Sequence, residues 1–371
     1  MEHTIYSYSL CISLTLMIFF ALYFIFAQVP DKTAYATYLR SRRIMGVGLL
    51  VLVANYSVHF FAQLRFSNPD LATVMNLSTY FFEVWIAYSA LILLLDKRYI
   101  TRRRTVFNIA YWAVYTAVSG IVFFVLDNGT LRSVALVLMA VWFAAYAVSM
   151  FRALLQSYRR AVRAMDDFYS DDVEQYIRWM SRFTYWTVVY VVALGGLTFL
   201  PEKYVFLWIL SSVPFYIYLY VSYMNYLLFC QRVKDGLEEP LQVCPENETE
   251  DDPAVQDALP ASYNEQAAKL EQWILEAGFT VSGITVTDLA VMLDSNRTYL
   301  TGYIKLKYGV SFREWISSLR IEYAKKLLIE ESELSVAEIA NRVGYQSSTH
   351  FIKLFSESEG VSPAKWRKEQ F

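Results

Sequence analysis

The chain has 371 residues, of which 56% are hydrophobic and only 18% are charged. Soluble chains average about 45–50% apolar and about 25% charged residues, so this composition argues against a chain that is soluble throughout. The formal net charge of −2 excludes the strong overall positive field of a basic nucleic-acid-binding protein.

Seven apolar stretches in residues 1–230 are each long enough to cross a bilayer, which needs roughly 20 mostly apolar residues. The predicted spans are residues 9–27, 44–64, 73–95, 106–126, 132–151, 183–200 and 204–229. The sixth span is the shortest, and it contains Gly195 and Gly196 and ends at Pro201. We expect the first stretch to be a span, not a cleavable signal peptide, because no Lys or Arg precedes it.

The basic residues between these stretches predict the orientation. Successive gaps contain 4, 1, 5, 1, 6 and 1 Lys/Arg residues. Cytoplasmic gaps carry the excess of positive charge, so the N-terminus is predicted outside the cell and the C-terminus inside. The alternation favours seven spans over six or eight, because an even number of spans would interrupt it.

Three polar residues in the predicted spans are candidates for sensing. Glu83 lies near the middle of the third span, Asn55 lies at a similar depth in the second, and His59 lies nearer the outer face. Polar groups in lipid are costly and are often functional, so a ligand or proton site is one interpretation. Hydrogen bonds that hold helices together are the other, and the sequence leaves both open.

Cysteine and histidine residues are too scattered to predict a disulfide framework or a metal site. No clustered acids, nucleophile–base set or phosphate loop is present, so we expect no enzyme activity, no cofactor and no metal. The residues concerned are Cys11, Cys230, Cys244, His3, His59 and His350.

The long cytoplasmic gap from 152 to 182 has helical periodicity on both sides of an acidic patch. The patch contains Asp166, Asp167, Asp171 and Asp172. The pattern favours a simple extension of spans five and six beyond the membrane. The alternative is a docking surface for the C-terminal domain or for a second protomer.

Residues 231–261 differ in composition from both neighbouring regions. They include four prolines and an acidic run at 246–252, with few apolar residues. Such a segment cannot bury a core, so we predict a flexible linker with a reach on the order of 30 Å.

Residues 262–371 have the periodicity of short soluble helices and contain the same pattern twice. In the first copy, Thr285 or Thr287 caps a helix, a turn follows at Asp294, and a second helix runs from about Asn296 to Lys307, with Gly309 as its stop. In the second copy, Ser335 caps a helix, Gly344 forms the turn, and a further helix runs from Ser347 through Glu357, with Gly360 as its stop.

A small alanine precedes each turn residue by four positions, which lets two helices cross closely. The repeated pattern predicts two helix-turn-helix motifs, at about 285–309 and 335–360. Between them, an amphipathic helix at about 311–329 has the length to hold two recognition helices in successive major grooves, about 34 Å apart.

Residues 339–367 (IANRVGYQSSTHFIKLFSESEGVSPAKWR) closely resemble the signature of the AraC/XylS family of transcription regulators. Residues 297–328 are similar to the family's first motif and connecting helix. The resemblance covers about 265–368 and implies a double helix-turn-helix domain that binds promoter DNA and acts with RNA polymerase. Residues 1–230 are similar to the multi-span sensor halves found on some bacterial members.

Helix geometry predicts which side chains face DNA. The candidates are Arg297, Thr298, Thr301 and Lys305 on the first recognition helix, and Gln346, Ser348, Thr349, Ile352 and Lys353 at the second. Residues 262–371 contain 13 Lys/Arg and 14 Asp/Glu, which predicts weak non-specific binding. Confinement near the membrane or a homodimer would offset this weakness.

The sequence thus predicts an all-α, membrane-bound one-component regulator that couples an unidentified signal ligand to promoter binding. One alternative is a membrane transporter or enzyme with a regulatory DNA-binding tail. The other is a regulator whose spans serve only as a tether, although a single span is enough for anchoring.

Overall fold

The structure is a computed structural model, and it describes residues 2–29, 35–126, 129–173, 177–197, 204–238 and 262–370. In these ranges the regular elements are helices, which confirms the predicted all-α fold for this part of the chain. The chain divides into two units: unit 1 is Met1–Ala161 with Tyr176–Gln231, and unit 2 is Val162–Gln175 with Arg232–Phe371. Unit 2 therefore includes a short segment that the sequence inserts between two helices of unit 1.

Unit 1 contains the long helices. They are α1 (Glu2–Phe26), α2 (Ala36–Ala62), the short α3 (Leu64–Ser67), α4 (Pro69–Leu95), α5 (Arg102–Val125), α6 (Gly129–Asp166), α7 (Arg178–Leu197) and α8 (Val205–Glu238). Helix α2 packs against α1 and α4, and α4 packs against α5. Many large apolar side chains point outward, among them Phe61 (81% exposed), Phe124 (77%) and Leu228 (76%). Contiguous apolar surface of this kind suits a lipid environment better than water.

Six of these helices are long and apolar enough to cross a membrane: α1, α2, α4, α5, α6 and α8. They contain six of the seven predicted spans. The remaining predicted span, 183–200, falls on α7, which is not among the six. Its first turn and a half includes Arg178 and Arg182, and residues 198–203 lie outside the described part of the chain.

The start of α2 shows how a basic residue is accommodated beside apolar helices. Arg42 is 1% exposed. Its guanidinium donates hydrogen bonds to the carbonyl oxygens of Phe24 and Ala27 at the end of α1, and it lies over the ring of Tyr38. The last carbonyls of a helix have no partner within the helix, so this arginine satisfies them.

Unit 2 contains seven short α-helices in its described part, and the last six of them begin at capping residues. They are α9 (Ser262–Leu275), α10 (Val286–Met292), α11 (Arg297–Tyr308), α12 (Phe312–Glu330), α13 (Val336–Arg342), α14 (Ser348–Glu359) and α15 (Pro363–Lys368). Thr285, one of the two predicted caps, accepts from the backbone N–H of Asp288 in a reciprocal capping box. Ser311 and Ser335 form the same box at α12 and α13.

Helix α12 joins two apolar cores. Trp315 and Ile316 lie in the first core with residues of α9, α10 and α11. Ala324 and Leu328 lie in the second core with residues of α13 and α14. The predicted connecting helix therefore exists, and it supports one helix-turn-helix at each end.

The predicted linker begins within a helix. Helix α8 continues to Glu238, so it includes residues 231–238 of the segment expected to be flexible. The amphipathic composition of QRVKDGLE permits this continuation. Residues 239–261, which carry the prolines and the acidic run, lie outside the described part of the chain.

Candidate DNA-binding surface

The two helix-turn-helix motifs have equivalent turns. In the first (α10–α11), Asp294 has φ of 52°, and in the second (α13–α14), Gly344 has φ of 94°. The backbone N–H of Ser295 donates to Ala290 O at 2.8 Å, and the N–H of Tyr345 donates to Ala340 O at 2.9 Å. The small alanines and the left-handed turn residue thus have the roles that the sequence predicts.

Glycine is required at the second turn for two reasons. A left-handed backbone disfavours side chains with a Cβ atom. In addition, a Cβ atom on Gly344 would lie 2.5 Å from Thr280 O, well inside the van der Waals limit. The first turn has more room, because Asp294 itself is exposed.

The first recognition helix, α11, buries Leu300 (1% exposed) and Ile304 (1%) against the first core. The four predicted DNA contacts lie on the opposite face and are exposed or half-buried: Arg297, Thr298, Thr301 and Lys305. A Cβ atom on Gly302 would meet no atom within 4 Å, so this glycine leaves an open gap in the exposed face.

The second recognition helix, α14, buries Phe351 and Phe355, both 0% exposed. The predicted contacts Gln346, Thr349, Ile352 and Lys353 are exposed, and Ser348 is half-buried. Lys353 Nζ lies 3.7 Å from Glu357 Oε1, one turn further along the helix. Both ends of this ion pair are solvated, so the lysine is available to a phosphate.

Sequence reasoning missed Arg320, which organises the centre of unit 2. This α12 residue is 0% exposed. Its Nε donates to Phe279 O and its Nη2 to Val281 O, both at 2.8 Å, while its guanidinium carbon lies 5.3 Å from the centre of the Tyr345 ring. The residue therefore joins the loop before α10 to the turn of the second motif. The sequence carried one indication of this role, because Arg320 is a charged residue within the apolar stripe of the predicted helix.

Residues 166–173, which we call the acidic segment, are bound within unit 2. The ring of Phe168 is 5% exposed and belongs to the first core. Tyr169 pairs with Thr285 in an isolated antiparallel bridge. Val286 N–H donates to Phe168 O at 2.9 Å, and Ser170 N–H donates to Ile284 O at 3.2 Å.

Two arginines of α12 bind the aspartates of the acidic segment. Arg313 Nη1 lies 2.6 Å from Asp166 Oδ1 and 3.8 Å from Asp172 Oδ1. Arg320 Nη1 lies 3.5 Å from Asp171 Oδ1. Helix α6 does extend to Asp166, as the simpler interpretation of this region predicts. The aspartates beyond it contact the C-terminal domain, which is the docking alternative.

The three candidate sensing residues of unit 1 lie along one helix pair, α2 and α4. Asn55 Nδ2 donates to Thr79 Oγ1 at 3.0 Å, and His59 Nε2 lies 2.8 Å from Asn76 Oδ1. Glu83 approaches the bare backbone of Gly48, where a Cβ atom would lie 2.8 Å from Glu83 Oε2.

These contacts leave some polar atoms of the pair without partners. Among the described residues, Asn55 Oδ1, His59 Nδ1 and Glu83 Oε2 are buried and accept or donate no hydrogen bond. The α2–α4 pair therefore contains both hydrogen bonds between helices and buried polar atoms without a partner. The first observation supports a role in helix packing, and the second supports a ligand or proton site.

The described residues contain no group of three His, Cys, Asp or Glu side chains placed to hold a metal ion. Among the described residues, Cys11 and Cys230 form no disulfide, and Cys244 lies outside the described residues.

The profile of a helix-turn-helix domain family matches residues 289–369. The chain is similar to the Msm operon regulatory protein of Streptococcus mutans, with 39% identity over 24% of this chain and 31% of that protein. It is similar to the uncharacterized HTH-type transcriptional regulator YtdP of Bacillus subtilis, with 35% identity over 24% of this chain and 11% of that protein. It is 28% identical to the melibiose operon regulatory protein of Escherichia coli over 23% of this chain and 28% of that protein.

These similarities cover a minority of each protein, because the chain spans less than a third of the length of each of these curated relatives. Among solved structures, the C-terminal domain of the two-component response regulator yesN from Fusobacterium nucleatum is 34% identical. That match covers 27% of this chain and 97% of that domain, with a TM-score of 0.25.

Proposed function

Because the C-terminal domain of this chain is an AraC-family helix-turn-helix domain, we propose that the protein is a membrane-bound, sequence-specific DNA-binding transcription regulator. The main support for this proposal is that one connecting helix, α12, joins two helix-turn-helix motifs whose turns are equivalent. Each turn is followed by a recognition helix whose apolar face is buried in a core and whose polar face is exposed or half-buried. Two such helices suit two successive major grooves of promoter DNA.

Each recognition helix has a role in this proposal. Arg297, Thr298, Thr301 and Lys305 contact one groove, while Gln346, Ser348, Thr349 and Lys353 contact the next. Arginine, glutamine and lysine suit base edges, and serine and threonine suit bases or phosphates. Ile352, 38% exposed, suits the methyl group of a thymine. RNA polymerase is the expected protein partner, and a homodimer would double the contact area.

Seven spans in the bacterial inner membrane complete the proposal, with the N-terminus outside and the DNA-binding domain in the cytoplasm. The six apolar helices support it, as does the alternation of basic residues between the spans. Helix α7 would be the seventh span. We place the sensing site at the α2–α4 pair, where buried polar atoms of Asn55, His59 and Glu83 keep unused hydrogen-bonding capacity.

The test of the proposal uses the full-length protein in lipid nanodiscs and fragmented genomic DNA. We expect recovery of a small set of fragments that share a sequence and that compete with each other for binding. Recovery of DNA without any shared sequence would contradict specific recognition. In cells, a reporter fused after residue 371 should be active in the cytoplasm, and activity only outside would overturn the topology.

A further inference from the structure

The acidic segment has a charge that is unfavourable beside DNA. The segment, residues 166–173, contains four aspartates and no Lys or Arg. It binds a domain whose own Lys/Arg and Asp/Glu nearly balance, at 13 and 14. A surface that must approach phosphates therefore becomes more negative when the segment is bound to it.

The acidic segment lies close to residues proposed to contact DNA. Gly283 sits between the two: a Cβ atom there would lie 3.7 Å from Gln346 Nε2 and 3.9 Å from Asp171 Oδ2. Burial raises the pKa of Asp167, and the nearby charge of Lys305 opposes that rise. Burial lowers the pKa of His350 on α14, and the carboxylate of Asp172 opposes that change. The carboxylates thus act on both recognition helices.

The contacts that hold the acidic segment on the domain are few and partly solvated, so the segment can dissociate from it. Among the described residues, the buried ring of Phe168, the partly buried Tyr169, two backbone hydrogen bonds and three ion pairs hold the segment. The Arg313–Asp166 pair is partly solvated, with side chains 20% and 28% exposed, so it contributes modestly. If the segment served only to complete the apolar core, the ring of Phe168 would be enough. The segment also places four aspartates on the surface around that ring.

We propose that the acidic segment is an intramolecular competitor of DNA, which docks on the surface formed by Ile284, Thr285, Val286, Arg313 and Arg320. Bound there, its carboxylates take the place of phosphates beside the recognition helices and hold the domain in a state of low DNA affinity. The segment connects α6 to α7, so a change in the packing of these helices withdraws it and raises the affinity. This inference rests on the proposed DNA-binding function.

The first test removes the charge of the segment in the full-length protein in nanodiscs. The variant D166N/D171N/D172N is compared with a matched variant in the linker, E250Q/D251N/D252N, which loses the same charge. The probe is a short duplex recovered from genomic DNA by the wild-type protein. We expect the segment variant to bind about tenfold more tightly, as when the competent fraction rises from about one tenth to nearly all molecules.

The linker variant should stay within about twofold of the wild type, because the residues it changes are not part of the segment proposed to compete with DNA. Equal affinities for the two variants would overturn the proposal. So would a segment variant that binds more weakly than the wild type.

The second test locks the segment in place. Tyr169 and Thr285 face each other at a position without mutual hydrogen bonds, where Cα atoms are about 4.5 Å apart, within the range that a disulfide spans. The variant Y169C/T285C is made in a background with C11S, C230S and C244S. Y169C and T285C alone in that background control for loss of the tyrosine ring or the helix cap.

We expect the oxidised double variant to bind the duplex about tenfold more weakly than its reduced form, while the single variants do not respond to reductant. Failure of the disulfide to form would refute the docked geometry. Equal binding by oxidised and reduced protein would refute competition while leaving DNA binding intact. If no form of the protein binds any duplex, the proposed function fails as well.

Discussion

The two helix-turn-helix motifs have the same turn geometry but differ in what completes them. The second motif is completed by its own neighbours: Phe355 packs against Trp366 of α15 at 5.9 Å between ring centres. The first motif takes Phe168 from a segment far away in the sequence into its core. Equal local patterns therefore produce one self-sufficient motif and one whose core depends on the acidic segment between α6 and α7.

The largest loss of stability is expected on substitution of Arg320, because both motifs depend on this side chain. In R320M, the carbonyls of Phe279 and Val281 lose their donor while they stay buried, and each such group costs about 1–3 kcal/mol. We expect unit 2 to lose about 4 kcal/mol of stability, with faster hydrogen exchange in both α10 and α13 of the full-length protein.

The matched control for R320M is R342M. Arg342 also binds a carboxylate, that of Glu331 at 2.5 Å, but its side chain is 53% exposed. Exposed pairs contribute about 0–1 kcal/mol, so exchange in the control should hardly change. If R320M affected one motif and spared the other, Arg320 would not be the residue that joins them.

The second prediction compares the two turns. G344A adds a Cβ atom 2.5 Å from Thr280 O at a left-handed residue, so we expect a loss of about 3 kcal/mol. D294A at the first turn keeps a Cβ atom that the structure already accommodates, and we expect a loss below about 1 kcal/mol. Hydrogen exchange of α14 and α11 measures the two effects. Equal losses would show that the turns are equally constrained.

The third prediction separates the motifs by their dependence on the acidic segment. F168A removes a ring that is 5% exposed in the first core, and we expect α10 and α11 to lose about 3 kcal/mol of local stability. Helices α13 and α14 should exchange as in the wild type, because Phe168 takes no part in their core. DNA affinity should rise at the same time, since the acidic segment is held less firmly.

That pair of opposite changes distinguishes release of the segment from general damage to the domain. An F168A protein with lower stability and also lower DNA affinity would show that the segment supports binding. F24A serves as a control, because Phe24 is also buried (0% exposed) but belongs to unit 1, where it lies on α1 and not on α6 or α7.

Much of unit 2 was predictable because its signals are local. Capping serines and threonines, a left-handed residue at each turn and apolar periodicity define each helix within a few residues. Thus Ser335, Gly344 and Gly360 have the places that the sequence predicts. The apolar length of six helices was equally local. The seventh predicted span, on α7, is short and contains two glycines, so its length and composition do not distinguish a span from a helix outside the membrane.

Contacts between residues that are far apart in the sequence were not predictable in the same way. Phe168 and Arg320 are separated by more than 100 residues, and no periodicity links an acidic loop between spans to the core of a distant domain. The acidic patch indicated that the loop was unusual, but charge pattern alone left an extended helix and a docking surface open. The partners of Arg320 are backbone carbonyls, which no residue type reveals.

The smallest predicted effect tests which face of the second motif meets DNA. Lys353 on α14 and Lys365 on α15 are nearly identical in setting. Their side chains are 64% and 65% exposed, and each lies 3.7 Å from a glutamate four residues later. Only Lys353 lies on the proposed DNA face. K353A should therefore weaken binding of the recovered duplex about fivefold and lower the slope of log affinity against log salt by about one.

K365A should leave both quantities unchanged, since it removes the same charge from the same domain at a site away from the grooves. Equal losses in K353A and K365A would mean that the domain attracts DNA only through its overall charge. A loss confined to K365A would place the DNA on the other side of the second motif. Because the two lysines share exposure and ion pairing, a difference between them reports position alone.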